Sequence, residues 1–97
     1  MTATPGRVTL ESRIQIPEDV LFQELNGEAV ILDLASEQYF GLDAVGTRFW
    51  ELLSQNPHVR HAFDRLSKEY EVEASRLEND LLTLAVELLD AGLIRLE

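Results

Sequence analysis

The spacing of apolar and polar residues changes at Asp43, from short strand-like runs before it to helical periodicity after it. Upstream, Leu21 to Leu25 and Glu28 to Asp33 flank Asn26-Gly27, a dipeptide that accepts positive φ at both central positions of a two-residue hairpin turn. A second turn through Ala35, Ser36 and Glu37 returns the chain along Gln38, Tyr39, Phe40 and Gly41, so three short antiparallel strands are expected. The run Ala29 to Leu32 is apolar throughout, which predicts that this strand is central and covered on both faces.

Downstream, Asp43 is the expected cap of a first helix, because its carboxylate can accept the free N–H groups of the opening turn. Val45, Phe49, Leu52 and Leu53 then share one face. Asn56-Pro57 predicts the start of a second helix, with Asn56 as cap and Pro57 at the first helical position. That helix carries Val59, Ala62, Phe63 and Leu66 inward and stops near Tyr70. A third runs from Ala74 to Ala91, and Gly92 supplies the left-handed residue that ends it. Leu93, Ile94 and Leu96 form an apolar tail that packs or pairs as a last strand. Residues 1–15, with Pro5 and Gly6 early, read as a weakly ordered arm; the alternation of Val8, Leu10, Ile14 and Ile16 allows an edge strand against the sheet. The expected fold is α+β and winged helix-turn-helix-like, a three-stranded antiparallel sheet followed by three helices over residues 16–97.

Composition limits what such a domain can do. Eighteen acids against eight bases give a net charge of −10, which repels phosphate backbones and anionic membranes. The third helix has Arg76 as its only base, so the fold does not carry the basic recognition helix of a DNA-binding winged helix. Nucleic acid and membrane are therefore not expected partners. There is no cysteine, no apolar stretch long enough to span a bilayer and no signal-peptide pattern, and a cytoplasmic location is expected. His58 and His61 sit three apart without a third ligand in the local pattern, and read as surface residues rather than a metal site. The glycines show no phosphate-cradling spacing, and the carboxylates lie at solvated helical positions. No catalytic residue, metal or cofactor is expected, and the chain is not expected to be an enzyme.

The third helix has more apolar surface than one core requires. At 100° per residue, Leu77, Leu81, Leu84, Leu88 and Ala91 form a stripe sufficient to face a core, while Leu82, Ala85, Val86 and Leu89 widen the arc to about 220°. Ala85 and Leu89 are assigned to the core; Leu82 and Val86 either bury in the domain as well or open onto a groove beside the sheet. The last sheet strand, Gln38 to Gly41, is followed by a helix and leaves an edge free for strand addition. Successive strand residues face opposite ways, so one of Tyr39 and Phe40 completes the core and the other meets a ligand.

The ordered set Asp33, Gln38-Tyr39-Phe40-Gly41-Leu42-Asp43, Val45, Gly46 and Phe49-Trp50-Glu51-Leu52-Leu53 resembles the PqqD-like family, peptide-binding modules also called RiPP recognition elements. Leu66, Tyr70, Val72, Leu77, Asp80, Leu84, Leu88 and Ala91-Gly92-Leu93-Ile94 continue the resemblance. It implies a precursor-peptide-binding chaperone of natural product biosynthesis. Such a module binds the leader segment as an added strand and presents the core peptide to a modifying enzyme, such as a radical SAM enzyme, a cyclase or a leader protease. Carried over by position, the leader-binding residues would be Gln38, Tyr39, Phe40 and Gly41 on the strand with Asn79, Leu82, Thr83 and Val86 on the helix. Family members dedicated to pyrroloquinoline quinone tend to have Lys-Leu-Asn in this aromatic context and to lack Phe49-Trp50, which places the chain nearer the broader group. The alternative expectation is a structural interaction module that uses the same edge to form a homodimer or dock a partner, without a peptide substrate.

Overall fold

The computed structural model describes residues 7–97. Its elements are β1 (Ile14–Gln15), β2 (Val20–Leu25), β3 (Glu28–Asp33), β4 (Gln38–Leu42), α1 (Ala44–Gln55), α2 (Val59–Glu69), α3 (Ala74–Asp90) and β5 (Arg95–Leu96). β2, β3 and β4 form an antiparallel sheet with β3 in the centre, and the three helices follow it.

Local chemistry accounts for both hairpin turns. Asn26 and Gly27 have φ of 58° and 82°, and the turn sets Leu25 opposite Glu28. In the second turn the Asp33 carboxylate accepts from the Ala35 N–H at 3.1 Å and from the Ser36 hydroxyl at 2.9 Å. Glu37 then adopts φ of 63° and donates its N–H to the Asp33 carbonyl at 2.7 Å, which turns the chain into β4.

One face of the sheet is covered and the other is not. Val20, Phe22, Ala29, Ile31, Phe40 and Leu42 point toward the helices, and Phe22 stacks on Trp50 of α1 at 6.4 Å between centroids. The outer face carries Leu21, Val30 and Tyr39; Val30 is 46% exposed. The expectation that β3 is covered on both faces is therefore corrected: β3 is central, but α1 packs against the face that carries Ile31, and the face that carries Val30 is exposed.

Two further expectations change for one shared reason. The alternating N-terminal segment does not join the sheet; β1 pairs with β5, setting Ile14 opposite Leu96 and Gln15 opposite Arg95. Val8 and Ile14 are buried, so within the segment expected to be a loose arm, residues 7–15 belong to the packed unit, and residues 1–6 lie outside the described residues. This segment also takes up the start of the second helix. Ile14 donates its N–H to the Pro57 carbonyl at 2.8 Å and the Val59 N–H donates to the Ser12 carbonyl at 3.1 Å. His58 is thus held in a strand-like bridge opposite Arg13, and α2 begins at Val59 with His58 as its cap rather than Asn56. The Asn56 side chain instead accepts from the His58 N–H at 3.0 Å.

The other helix ends match their sequence signals. The Asp43 carboxylate accepts from the Gly46 N–H at 2.8 Å and opens α1. At the end of α3 the Leu93 N–H reaches the Leu88 carbonyl at 2.9 Å and the Gly92 N–H the Leu89 carbonyl at 3.1 Å, with Gly92 at φ 79°. Arg48 ties α1 to the end of α2 through a two-pronged contact with Glu69, at 3.0 and 2.9 Å.

Candidate functional site

The geometry of the two hairpins determines which backbone groups of β4 are free. In a two-residue hairpin the pair flanking the turn, here Leu25 and Glu28, is hydrogen-bonded, and such pairs alternate along antiparallel strands. On β3 the groups of Ala29, Ile31 and Asp33 therefore face β4, whose partners are Leu42, Phe40 and Gln38. The N–H and C=O groups of Tyr39 and Gly41 face the other way. Among the described residues no strand pairs with that edge.

Beside β4 lies a cleft of about 550 Å³, bounded by Phe40 to Asp43, by Val45 and Gly46 at the start of α1, by Tyr70 and Val72, and by α3. The face that α3 presents to it is split. Leu77 and Leu81 are buried and Leu84 is half-buried, and together they make an apolar floor; Arg76, Asp80 and Glu87 are exposed along the rim. Helical angle explains the split, because Arg76, Glu87 and Asp80 fall within about 40° of arc and the three leucines within the next 100°. The approach of α1 to this floor depends on Gly46. A side-chain carbon there would lie 3.2 Å from Leu42, 3.3 Å from the Asp43 carboxylate and 3.3 Å from Leu84, tighter than ordinary packing.

The residues expected at the site separate into two groups. On β4, Phe40 and Gly41 line the cleft. Tyr39 is 76% exposed on the outer face, Gln38 is exposed at the start of the strand, and neither lines the cleft. Phe40 serves both sides of the expected division between the two aromatics, since it packs against the core and also borders the cleft. On α3, Asn79, Leu82, Thr83 and Val86 do not line the cleft. Leu82 and Val86 are 8% and 9% exposed and belong to the core; Asn79 and Thr83 are exposed on the same side of the helix. Near the end of that side, Asp90, one turn beyond Val86, is bound by Arg7 of the N-terminal segment. The cleft uses the adjoining arc of the helix, which begins at Arg76, about 20° beyond Thr83. Its signal in the sequence is the stripe Leu77, Leu81 and Leu84 with charges on the adjoining arc, a pattern indistinguishable from a core stripe until neighbours are known.

The carboxylates whose pKa values are displaced lie elsewhere. Glu24 on β2 is raised above the usual carboxylate range by a hydrogen bond shared with Glu51, then by that group's charge. Glu69 is lowered by its hydrogen bond from Arg48. Neither lines the cleft. Among the described residues no three metal-ligating side chains come together, and no helix is long and apolar enough to cross a membrane.

The family model of coenzyme PQQ synthesis protein D (PqqD) matches residues 28–94, from the start of β3 to Ile94 in the apolar tail. The chain belongs to the PqqD family. Its structure is similar to that of TbiB1 in complex with the TbiA(beta) leader peptide, with a TM-score of 0.78 and 33% sequence identity over 84% of this PqqD-family chain and 94% of TbiB1. No curated protein sequence matches the chain. The segment common to the PqqD model and this chain contains all of β4 and α3, the two walls of the cleft.

Proposed function

We propose that this chain is a non-catalytic peptide chaperone that binds the leader segment of a ribosomally made precursor as a strand added to β4, and presents the remainder to a modifying enzyme in the cytoplasm. The observation that carries it is the unpaired β4 edge beside a leucine-floored cleft, in a PqqD-family chain similar to a protein solved with a leader peptide. The backbone groups of Tyr39 and Gly41 offer two donors and two acceptors to an extended chain. Alternate side chains of the added strand then fall into the cleft, against Leu77, Leu81 and Leu84, while the intervening ones lie beside Tyr39 on the outer face. Backbone pairing supplies affinity without regard to sequence, and the floor selects apolar anchors.

A second reading is docking of a partner protein, a radical SAM enzyme, cyclase or leader protease, on the outer face of the sheet. Leu21, Val30 and Tyr39 are all exposed there, and a bound leader would extend the same surface.

The test is an amide-shift titration of isotopically labelled protein with the leader half of the precursor encoded beside its gene. Shifts at β4 and at the Leu77 to Leu84 stretch of α3 are expected, and an unchanged spectrum at those positions refutes leader binding here. Gly41→Pro removes one outward donor from an edge position, where proline is tolerated in folding, and should weaken binding with the sheet intact.

A further inference from the structure

We infer that the leader taken by this cleft is basic: a Lys or Arg stands two residues from an apolar anchor, on one or both sides of it. The inference rests on the leader-binding reading and adds to it the class of peptide selected.

Three observations converge. The rim of the cleft holds Asp43, Asp80 and Glu87 against a single base, Arg76. Between Arg13 and Arg48 the sequence has no lysine or arginine, while carboxylates recur from Glu18 to Asp43, so β4 and the whole sheet stand in an uncompensated negative field. Of the seven other bases, five are occupied: Arg7, Arg13, Arg48, Arg60 and Arg65 are each ion-paired with a carboxylate that does not line the cleft, and the remaining two, Lys68 and Arg95, do not line it either. The rim carboxylates have no such partners; Asp80 and Glu87 form no ion pair among the described residues, and Asp43 uses one oxygen to cap α1.

Spacing sets the pattern. Asp80 and Glu87 lie about 6 and 4.5 Å along the helix axis from Leu84, one on each side of it. Same-face residues of an extended strand are about 6.7 Å apart, so an apolar side chain seated over Leu84 puts its second neighbours within reach of the two carboxylates. A leader with Glu or Asp at those positions would meet like charge at the rim instead.

The test is selection of a displayed library of random peptides, about twelve residues long and so able to cross the cleft when extended, on the intact protein. The expected result is enrichment of Lys or Arg two residues from an apolar residue. Enriched peptides should bind the D80N/E87Q variant about three- to tenfold more weakly at low salt, and equally at about 0.5 M salt, where exposed charges are screened. Both substitutions are at exposed positions, and cooperative unfolding followed at Trp50 verifies that the variant is folded. Enrichment of peptides without surplus Lys or Arg, or equal binding to the variant at low salt, overturns the charge inference and leaves leader binding standing. No enrichment at all overturns leader binding, and the charge inference with it.

Discussion

Val86→Ala separates the two faces of α3 more sharply than any other single change. Val86 is 9% exposed and does not line the cleft, and the substitution removes two methyl groups from it. At about 0.8 kcal/mol per buried carbon, the lost transfer free energy is roughly 1.6 kcal/mol. A cavity that does not collapse adds about 1 kcal/mol, and the better helix propensity of alanine returns about 0.5 kcal/mol. The net loss is about 2 kcal/mol. With a denaturant slope of about 1–1.5 kcal/mol/M for a domain of this size, the urea midpoint falls by roughly 1–2 M. Trp50, 2% exposed and the only tryptophan, reports the transition by fluorescence. Peptide affinity of the fraction that remains folded should be unchanged, because Val86 does not line the cleft. An unaltered midpoint together with lost peptide binding would place Val86 in the groove and refute this assignment of the helix faces.

Leu84→Ala is the converse change: it strips the half-buried centre of the cleft floor, should lower stability by less than Val86→Ala, and should weaken peptide binding about five- to tenfold by loss of roughly 1–1.4 kcal/mol of apolar contact, measured by anisotropy titration. Thr47→Val should raise stability by about 1 kcal/mol in the same urea assay, since the Thr47 hydroxyl is buried without a hydrogen-bond partner; a lower midpoint would show that the hydroxyl is satisfied. Glu24→Gln should raise the midpoint near about pH 7 and leave it unchanged near about pH 4. The sign follows from the raised pKa of Glu24 beside Glu51: the folded chain holds more protons than the unfolded one, so stability falls as pH rises through that pKa. Glu69→Gln should act oppositely, because the Arg48 contact lowers the Glu69 pKa and contributes stability above the ordinary value of 4.5 that is lost as pH falls.

Signals confined to a few neighbouring residues are legible in the sequence itself. Asn26-Gly27 specifies a turn with positive φ at both positions, Asp43 a helix start and Gly92 a helix stop, and each depends only on groups within one turn of itself. Asn56-Pro57 is equally plain as a local signal, yet it is overridden by hydrogen bonds that Pro57 accepts from Ile14 and Val59 donates to Ser12, more than forty residues away in sequence. The arc of α3 that borders the cleft is not a local signal either. An angular count shows that α3 is apolar over a wide arc, but which part of the arc borders the cleft depends on where β4 and the start of α1 lie, and these are distant in sequence. The free edge of β4 is legible because it follows from strand order, which short hairpins enforce.

The two halves of the site are coupled through Asp43 and Gly46. Asp43 follows β4, holds the Gly46 N–H, and so turns the chain directly from an unpaired strand edge into α1. Gly46, with no side chain, then lets α1 settle against Leu42 and Leu84 at a separation that a larger residue would widen. The depth of the cleft beside β4 is thus set by the residues that begin the first helix, and not by any side chain that touches the far rim. A site built in this way needs no reactive group: its edge recognises any extended backbone, its leucine floor any apolar anchor of suitable size. Discrimination among peptides is left to the charges around it, which is where Asp80, Glu87 and the base-free sheet act.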